Sequence, residues 1–132
     1  MTALTDDRNT PSREGTLFHL PVGAAATIHA GAIVMKNATG YAVPGATATG
    51  QVCVGRAEQA VDNAAGADGD LSVAVRSGVF LYDNDGDIDI SHVGDTAYIV
   101  DDQTVSLDGT GKSEAGKIVD VDAAGVWVRM GL

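Results

Sequence analysis

Residues 71–76 have the sequence Leu71-Ser72-Val73-Ala74-Val75-Arg76, in which larger apolar residues alternate with smaller or polar ones. This period of two is typical of a half-buried strand, because successive side chains of a strand point to opposite faces of the sheet. Residues 126–130, Val126-Trp127-Val128-Arg129-Met130, repeat the pattern near the C-terminus. No stretch of the chain sustains a helical period, so the alternation predicts an all-β fold.

Short apolar runs bounded by Gly, Asp, Asn and Pro extend this pattern from Thr16 onward. Seven further strands are predicted at Leu17–Leu20, Ala32–Met35, Gln51–Arg56, Val79–Tyr82, Ala97–Val100, Thr104–Leu107 and Lys117–Val121. Asn37–Gly40 is predicted to form a hairpin turn and residues 62–70 a longer loop. The segment closest to a helix is Arg56–Val61, with at most about a turn.

The chain divides into two parts by composition. Residues 1–15 are polar, charged and interrupted by Pro11, so they are predicted to form an extended N-terminal arm. Residues 16–132 are predicted to form a single β-rich domain, of a length that can bury a core without disulfides. The many short strands and the 17 glycines favour a small β-barrel or sandwich, β-tulip or jelly-roll-like.

Composition disfavours several classes of function. The formal net charge of −10 would repel the phosphates of nucleic acids and anionic lipids, and aromatic residues for base stacking make up only 5%. No membrane span is expected, because the longest apolar stretch, Val22–Met35, is too short. No signal peptide is expected at the start of the sequence. The single cysteine, Cys53, is predicted to be a small buried residue on a strand.

The segment Gly109-Thr110-Gly111-Lys112-Ser113 ends like a phosphate-binding loop. That motif needs a glycine five residues before Gly111, where the chain has Ser106, and it needs a helix to follow, where a strand is predicted. We therefore interpret the segment as a glycine-rich turn and do not predict a nucleotide-handling enzyme.

The acidic segment 83–89 carries Asp83, Asp85 and Asp87, whose carboxylates are the kind of ligand that calcium prefers. Its spacing does not fit an EF-hand, so a solvated acidic turn between strands is the preferred interpretation and no metal site is predicted. A looser calcium site at these three aspartates stays open. It would make the protein a calcium-dependent adhesion or fibre-tip binding module of a virion.

Catalytic residues and cofactors are not predicted. The histidines His19, His29 and His92 lack the paired helical spacing of zinc proteases, and no sequence signal links a nucleophile to a base. The abundant carboxylates of an acidic chain do not indicate an acid/base pair.

Nine short segments, distributed over nearly the whole chain, follow one another in an order that can be compared with that of known proteins. They are residues 8–15 (RNTPSREG), 28–34 (IHAGAIV), 40–44 (GYAVP), 54–58 (VGRAE), 62–63 (DN), 66–70 (GADGD), 76–80 (RSGVF), 93–102 (VGDTAYIVDD) and 125–128 (GVWV). This order resembles that of the capsid cement proteins, or head decoration proteins, of tailed bacteriophages.

The resemblance implies a compact β-domain on the outer face of a mature head, assembled in the host cytoplasm and bound to the major capsid protein. It also implies self-association, with a homotrimer preferred and a dimer as the alternative, and it brings no catalytic residues. The expected capsid-binding arm includes Arg8, Asn9, Thr10, Pro11 and Arg13, with Arg8 and Arg13 as candidates for salt bridges to capsid carboxylates.

Overall fold

The computed structural model describes residues 2–13 and 15–132 and confirms the all-β class. Its strands are, in chain order, β1 (Leu17–Pro21), β2 (Thr27–Ile28), β3 (Ile33–Lys36), β4 (Ala42–Pro44), β5 (Val52–Ala57), β6 (Val61–Asp62), β7 (Ser72–Arg76), β8 (Gly78–Asn84), β9 (Thr96–Ile99), β10 (Thr104–Ser106), β11 (Glu114–Asp122) and β12 (Gly125–Met130). A short 3-10 helix, Ile90–His92, precedes β9. No helix in these described ranges has the length and apolar character needed to span a membrane.

The strands form three sheets. The second half of the chain closes a barrel with the strand order β10-β8-β12-β11-β9, in which only the β10–β8 pair is parallel. The first half forms an antiparallel five-stranded sheet, β1-β7-β5-β3-β4, and β2 pairs with β6 in a small two-stranded sheet. The structure thus contains a closed barrel together with additional sheets.

The strands predicted from the sequence are all present, with ends shifted by a few residues. Three short strands were not predicted, namely β2, β4 and β6. The expectation of a near-helical turn at Arg56–Val61 is wrong, because Arg56 and Ala57 complete β5 and Val61 begins β6. Local sequence could not predict whether these segments form strands or turns, because the hydrogen bonds that hold such short strands go to partners distant in the chain.

β7 also differs from the expected half-buried pattern. Ala74 is buried together with Val73 and Val75, while Leu71 lies outside the strand and is 43% exposed. The strand lies inside its sheet, between β1 and β5, and the three consecutive residues Val73–Val75 are buried although their side chains alternate between the two faces. The alternation therefore predicted the position of the strand correctly, but it wrongly predicted that one face of the strand would be exposed.

Two apolar clusters form the core, and β3 contributes to both of them. Ile33 and Met35 pack with the barrel interior, which includes Ile99, Ile118 and Val128. Val34 points the other way, into a second cluster that includes Val22, Ile28, Val54, Val73 and Val75. Since alternate side chains of a strand face opposite sides, this one strand joins the barrel to the rest of the domain.

Cys53 occupies the first of these clusters, as the sequence predicts, and burial raises the pKa of its thiol to about 11. The neighbouring Tyr82 is also buried, and its hydroxyl donates a hydrogen bond of 2.9 Å to the carbonyl of Gly31. Burial raises the pKa of Tyr82 well above its ordinary value. Both groups are therefore neutral at physiological pH and act as parts of the core.

The arm contrasts with the β-domain. Residues 2–13 form neither helix nor strand, and each of these side chains is exposed. Met1 and Glu14, which complete the predicted arm together with Gly15, lie outside the described residues. The described part of the arm therefore adds no buried surface to the core.

Candidate interaction surfaces

The arm residues that the sequence singled out are all exposed in the structure. Arg8, Asn9, Thr10, Pro11 and Arg13 follow one another along the surface, and the amide of Thr10 donates a 3.1 Å hydrogen bond to the carbonyl of Arg8. The ion pairs formed between described residues do not include Arg8 or Arg13. Among the described residues, no carboxylate pairs with either guanidinium group, and the five residues are not gathered into one pocket.

A charged cluster near Thr16, at the start of the β-domain, was not predicted from the sequence. It consists of Arg56 on β5, Arg76 on β7, Glu58 just after β5, and Phe80 on β8. Glu58 forms ion pairs with both arginines, at 2.6 Å to Arg56 Nη2 and 3.5 Å to Arg76 Nε. The guanidinium carbon of Arg56 also lies 4.3 Å from the centroid of the Phe80 ring. The hydrogen bond from Arg56 and the charges of both arginines lower the pKa of Glu58. Two cations thus share one carboxylate.

The pairing of β5 with β7 explains why sequence reasoning missed this cluster. Arg56 and Arg76 lie directly opposite each other in the ladder although twenty positions separate them in the chain. Leu17 of β1 lies opposite Arg76 on its other side, so all three side chains are on one face of the sheet. The two arginines belong to separate segments of the sequence, 54–58 and 76–80, and only the strand register brings them together.

A third surface is the outer face of the barrel. Val79 and Leu81 of β8 are 39% and 38% exposed, and their partners in the ladder are Arg129 and Trp127 of β12. Apolar side chains grouped on a surface beside a cation are typical of places where another protein binds. This face lies on a rigid element, in contrast to the arm.

The acidic segment has a structural arrangement of its own. Asn84 organises the turn, because its side-chain oxygen accepts from the amides of Gly86 and Ile88 and its amide donates to the Ile88 carbonyl. Asp87 accepts from the amides of Leu107 and Asp108, at 3.0 and 3.3 Å. In the part of the chain that the structure describes, no group of three or more His, Cys, Asp or Glu residues is placed to hold a metal ion.

The glycine-rich segment 109–113 is a turn that leads into β11, as its sequence context predicts. Ser113 is buried, and its hydroxyl donates to the carbonyl of Ala48 at 2.6 Å and accepts from the amide of Gln51 at 3.1 Å. The one hydrogen that this hydroxyl can donate is therefore bound to the backbone and is not available to a phosphate.

The histidines do not come together. His92 ends the 3-10 helix and its Nδ1 accepts from the amide of Asp89, which makes it part of a capping box. His19 is exposed on β1, and His29 lines an open depression of about 490 Å³ together with Asp83 and Asp102. These positions give no shared site for metal or acid/base chemistry.

Comparisons of the chain with protein-family models, with curated proteins and with solved structures give no match. The surfaces that remain are the arm, the cluster of two arginines near Thr16, and the outer face of the barrel. All three are suited to contacts with other protein chains.

Proposed function

We propose that the protein is a decoration, or cement, protein of a tailed bacteriophage. It binds the outer surface of the assembled major capsid protein lattice and stabilises the head, so its location is the outside of the virion. The observation that carries the proposal is the exposed arm, residues 2–13, attached to a rigid β-domain. The order of segments along the sequence, which resembles that of cement proteins, supports the same assignment.

The arm gives the proposal a physical mechanism. Its backbone amides and carbonyls can pair with a free sheet edge of a capsid subunit by strand addition. Arg8 and Arg13 add charge-assisted hydrogen bonds to capsid carboxylates. The conformational entropy lost when the arm becomes ordered is offset only on binding, so residues 2–13 adopt one fixed conformation only in the complex.

The β-domain supplies the second contact, through Val79, Leu81 and Trp127 on the outer face of the barrel. A ligand that binds only the expanded, assembled lattice stabilises that lattice by mass action. Several arms presented by one symmetric oligomer add avidity, and we propose a homotrimer, with a dimer as the alternative.

The test is co-sedimentation of the purified protein with expanded phage heads that have been stripped of accessory proteins. We expect the full chain to pellet with heads and to raise the temperature at which they break open. A variant lacking residues 2–13 should keep its thermal unfolding temperature, because these residues are exposed, but bind heads at least about tenfold more weakly.

A charge-matched pair of variants tests the arginines. Arg8→Gln with Arg13→Gln should weaken head binding, whereas Lys36→Gln with Lys112→Gln, which changes the net charge equally outside the arm, should not. The proposal is wrong if the full chain ignores heads. The role of the arm is wrong if the truncated protein binds with unchanged affinity.

A further inference from the structure

We propose that the outer edge of β1 is the binding site for the N-terminal arm of a second copy of this chain, whose Asp6 or Asp7 pairs with Arg76. The inference deepens the proposed function, on which it rests for the expectation of a homo-oligomer. It names the surface and the chemistry through which the copies associate.

The first step is the direction of the backbone groups of β1. The Thr16 carbonyl accepts from the amide of Ser77, and the Val22 amide donates to the carbonyl of Leu71. The ladder between them has no bulge, so the even-numbered residues bond to β7. The amides and carbonyls of Leu17 and His19 consequently point to the opposite side. No strand formed by the described residues lies along that side, because β1 ends the five-stranded sheet.

The second step limits the length of this open edge. Just beyond β1, Val22 forms a parallel bridge with Ala42 of β4, and the Gly23 amide donates to the Ala42 carbonyl. The C-terminal end of β1 is therefore covered by its own chain. The open part is the segment Leu17–His19, which can hold a short added strand through the amides and carbonyls of Leu17 and His19, since these four groups bond to no other residue that the structure describes.

The third step is the charge beside the edge. Arg76 and Arg56 share the single carboxylate of Glu58, so this cluster keeps a net positive charge within a chain whose formal charge is −10. The side chain of Arg76 extends toward β1, where its Nη1 donates to the hydroxyl of Thr16 at 3.3 Å. Arg76 is 40% exposed and has donors left for a second carboxylate. The edge therefore fits an extended segment that carries an aspartate or glutamate.

The fourth step identifies the occupant. The described arm forms neither helix nor strand, is exposed at every residue, and carries Asp6 and Asp7. Residues 4–7 contain no proline, so each keeps the amide that an added ladder needs at alternate positions, unlike the segment around Pro11. About eight residues separate Asp7 from Gly15, a reach of up to about 26 Å, enough to cross to a neighbouring molecule. Adjacent side chains of a strand face opposite sides, so one of the two aspartates faces Arg76.

Such contacts are heterologous, because the arm of one copy binds the edge of the next. They close into a ring when the rotation between copies allows it, and a ring of three matches the preferred oligomer. Asp6 and Asp7 then serve self-association, while Arg8 and Arg13, further along the same arm, remain for the capsid.

The experiment is sedimentation velocity of the purified full chain at several concentrations, without heads. We expect a small oligomer for the natural sequence, and an association at least about tenfold weaker for Asp6→Asn with Asp7→Asn and for Arg76→Gln. Matched controls with the same charge changes, Asp95→Asn with Asp120→Asn and Lys112→Gln, should associate like the natural protein. Circular dichroism checks that each variant is folded.

A charge-swap pair makes the test decisive. Arg76→Glu alone and Asp6→Lys with Asp7→Lys alone should both be monomers, and mixing the two should restore association, since the basic arm of one fits the acidic edge of the other. A natural protein that stays monomeric, or an oligomer that these substitutions do not change, would overturn the inference. If such a protein still bound heads, the proposed function would stand without this inference. If the protein formed the expected oligomer but did not bind heads, the inference would stand and the proposed function would be wrong.

Discussion

Gly55 shows how much one residue can constrain this fold. It lies in β5 at the irregularity in the pairing with β3, with a φ of 135°, and a Cβ built there would stand 2.4 Å from the carbonyl oxygen of Arg76. Gly86 also has a positive φ, 113°, but nothing lies within 4 Å of its Cβ position. A side chain at either position would therefore strain the backbone, but only at Gly55 would it also collide with a neighbouring strand.

We expect Gly86→Ala to lower the free energy of unfolding by about 1–2 kcal/mol, the cost of placing a side chain at positive φ. Gly55→Ala should lower it by about 1–3 kcal/mol more, because the added methyl also displaces the backbone of β7. Urea unfolding of the two variants measures the difference. Equal losses would show that the neighbouring strand moves away freely and that the close approach does not constrain the fold.

Some properties of single residues could be predicted from the sequence and others could not. Arg8 and Arg13 were predicted to be exposed because the arm lacks apolar residues, a property of composition that needs no tertiary contact. Gly55 could not be distinguished from the other glycines, and Arg76 could not be connected to Arg56. Both facts depend on the register of β5 against β7, to which distant parts of the chain contribute.

At the scale of elements, the β11–β12 hairpin carries the only tryptophan of the chain, Trp127. Asp122 holds its turn, accepting from the amide of Ala124 at 2.8 Å and from the indole Nε1 of Trp127 at 3.1 Å. The hydrogen bond from Trp127, followed by that from Ala124, lowers the pKa of Asp122 below its ordinary value of 3.8.

The lowered pKa fixes the direction of a pH effect. The carboxylate form is favoured in the folded hairpin, so its stabilising contribution is complete above the ordinary value and is lost as the pH falls through the folded-state pKa. We expect the fluorescence of Trp127 to change with a midpoint below pH 3.8 while the far-UV circular dichroism stays constant. Asp122→Asn should abolish this step and Asp120→Asn should keep it. A step that survives in Asp122→Asn would belong to another carboxyl group.

At the scale of the whole molecule, β3 links the two apolar clusters. Ile33 and Met35 belong to the cluster inside the barrel, and Val34 belongs to the other. The bond from the Tyr82 hydroxyl to the Gly31 carbonyl adds a polar link just before this strand. The barrel and the five-stranded sheet therefore share core residues and are not independent domains.

We expect the barrel and the sheet to unfold together in one transition. Trp127 fluorescence reports the barrel, and far-UV circular dichroism reports all strands, so their urea midpoints should coincide. Met35→Ala should lower the free energy of unfolding by about 2–5 kcal/mol, because it leaves a cavity next to both halves. Both urea midpoints should therefore fall by the same amount. Arm substitutions such as Asn9→Ala should change neither. Two separate midpoints would show that the halves are separate folding units.

The sequence by itself determined the all-β class, the positions of the longer strands, the Asn37–Gly40 turn, the burial of Cys53 and the exposure of residues 2–13. Each follows from local alternation, turn residues or composition. Tertiary structure alone decided which strands close the barrel, which short strands form at all, and which charges meet at the open edge of β1. Those outcomes depend on strand pairing between residues far apart in the chain, and a period of two carries no information about the partner.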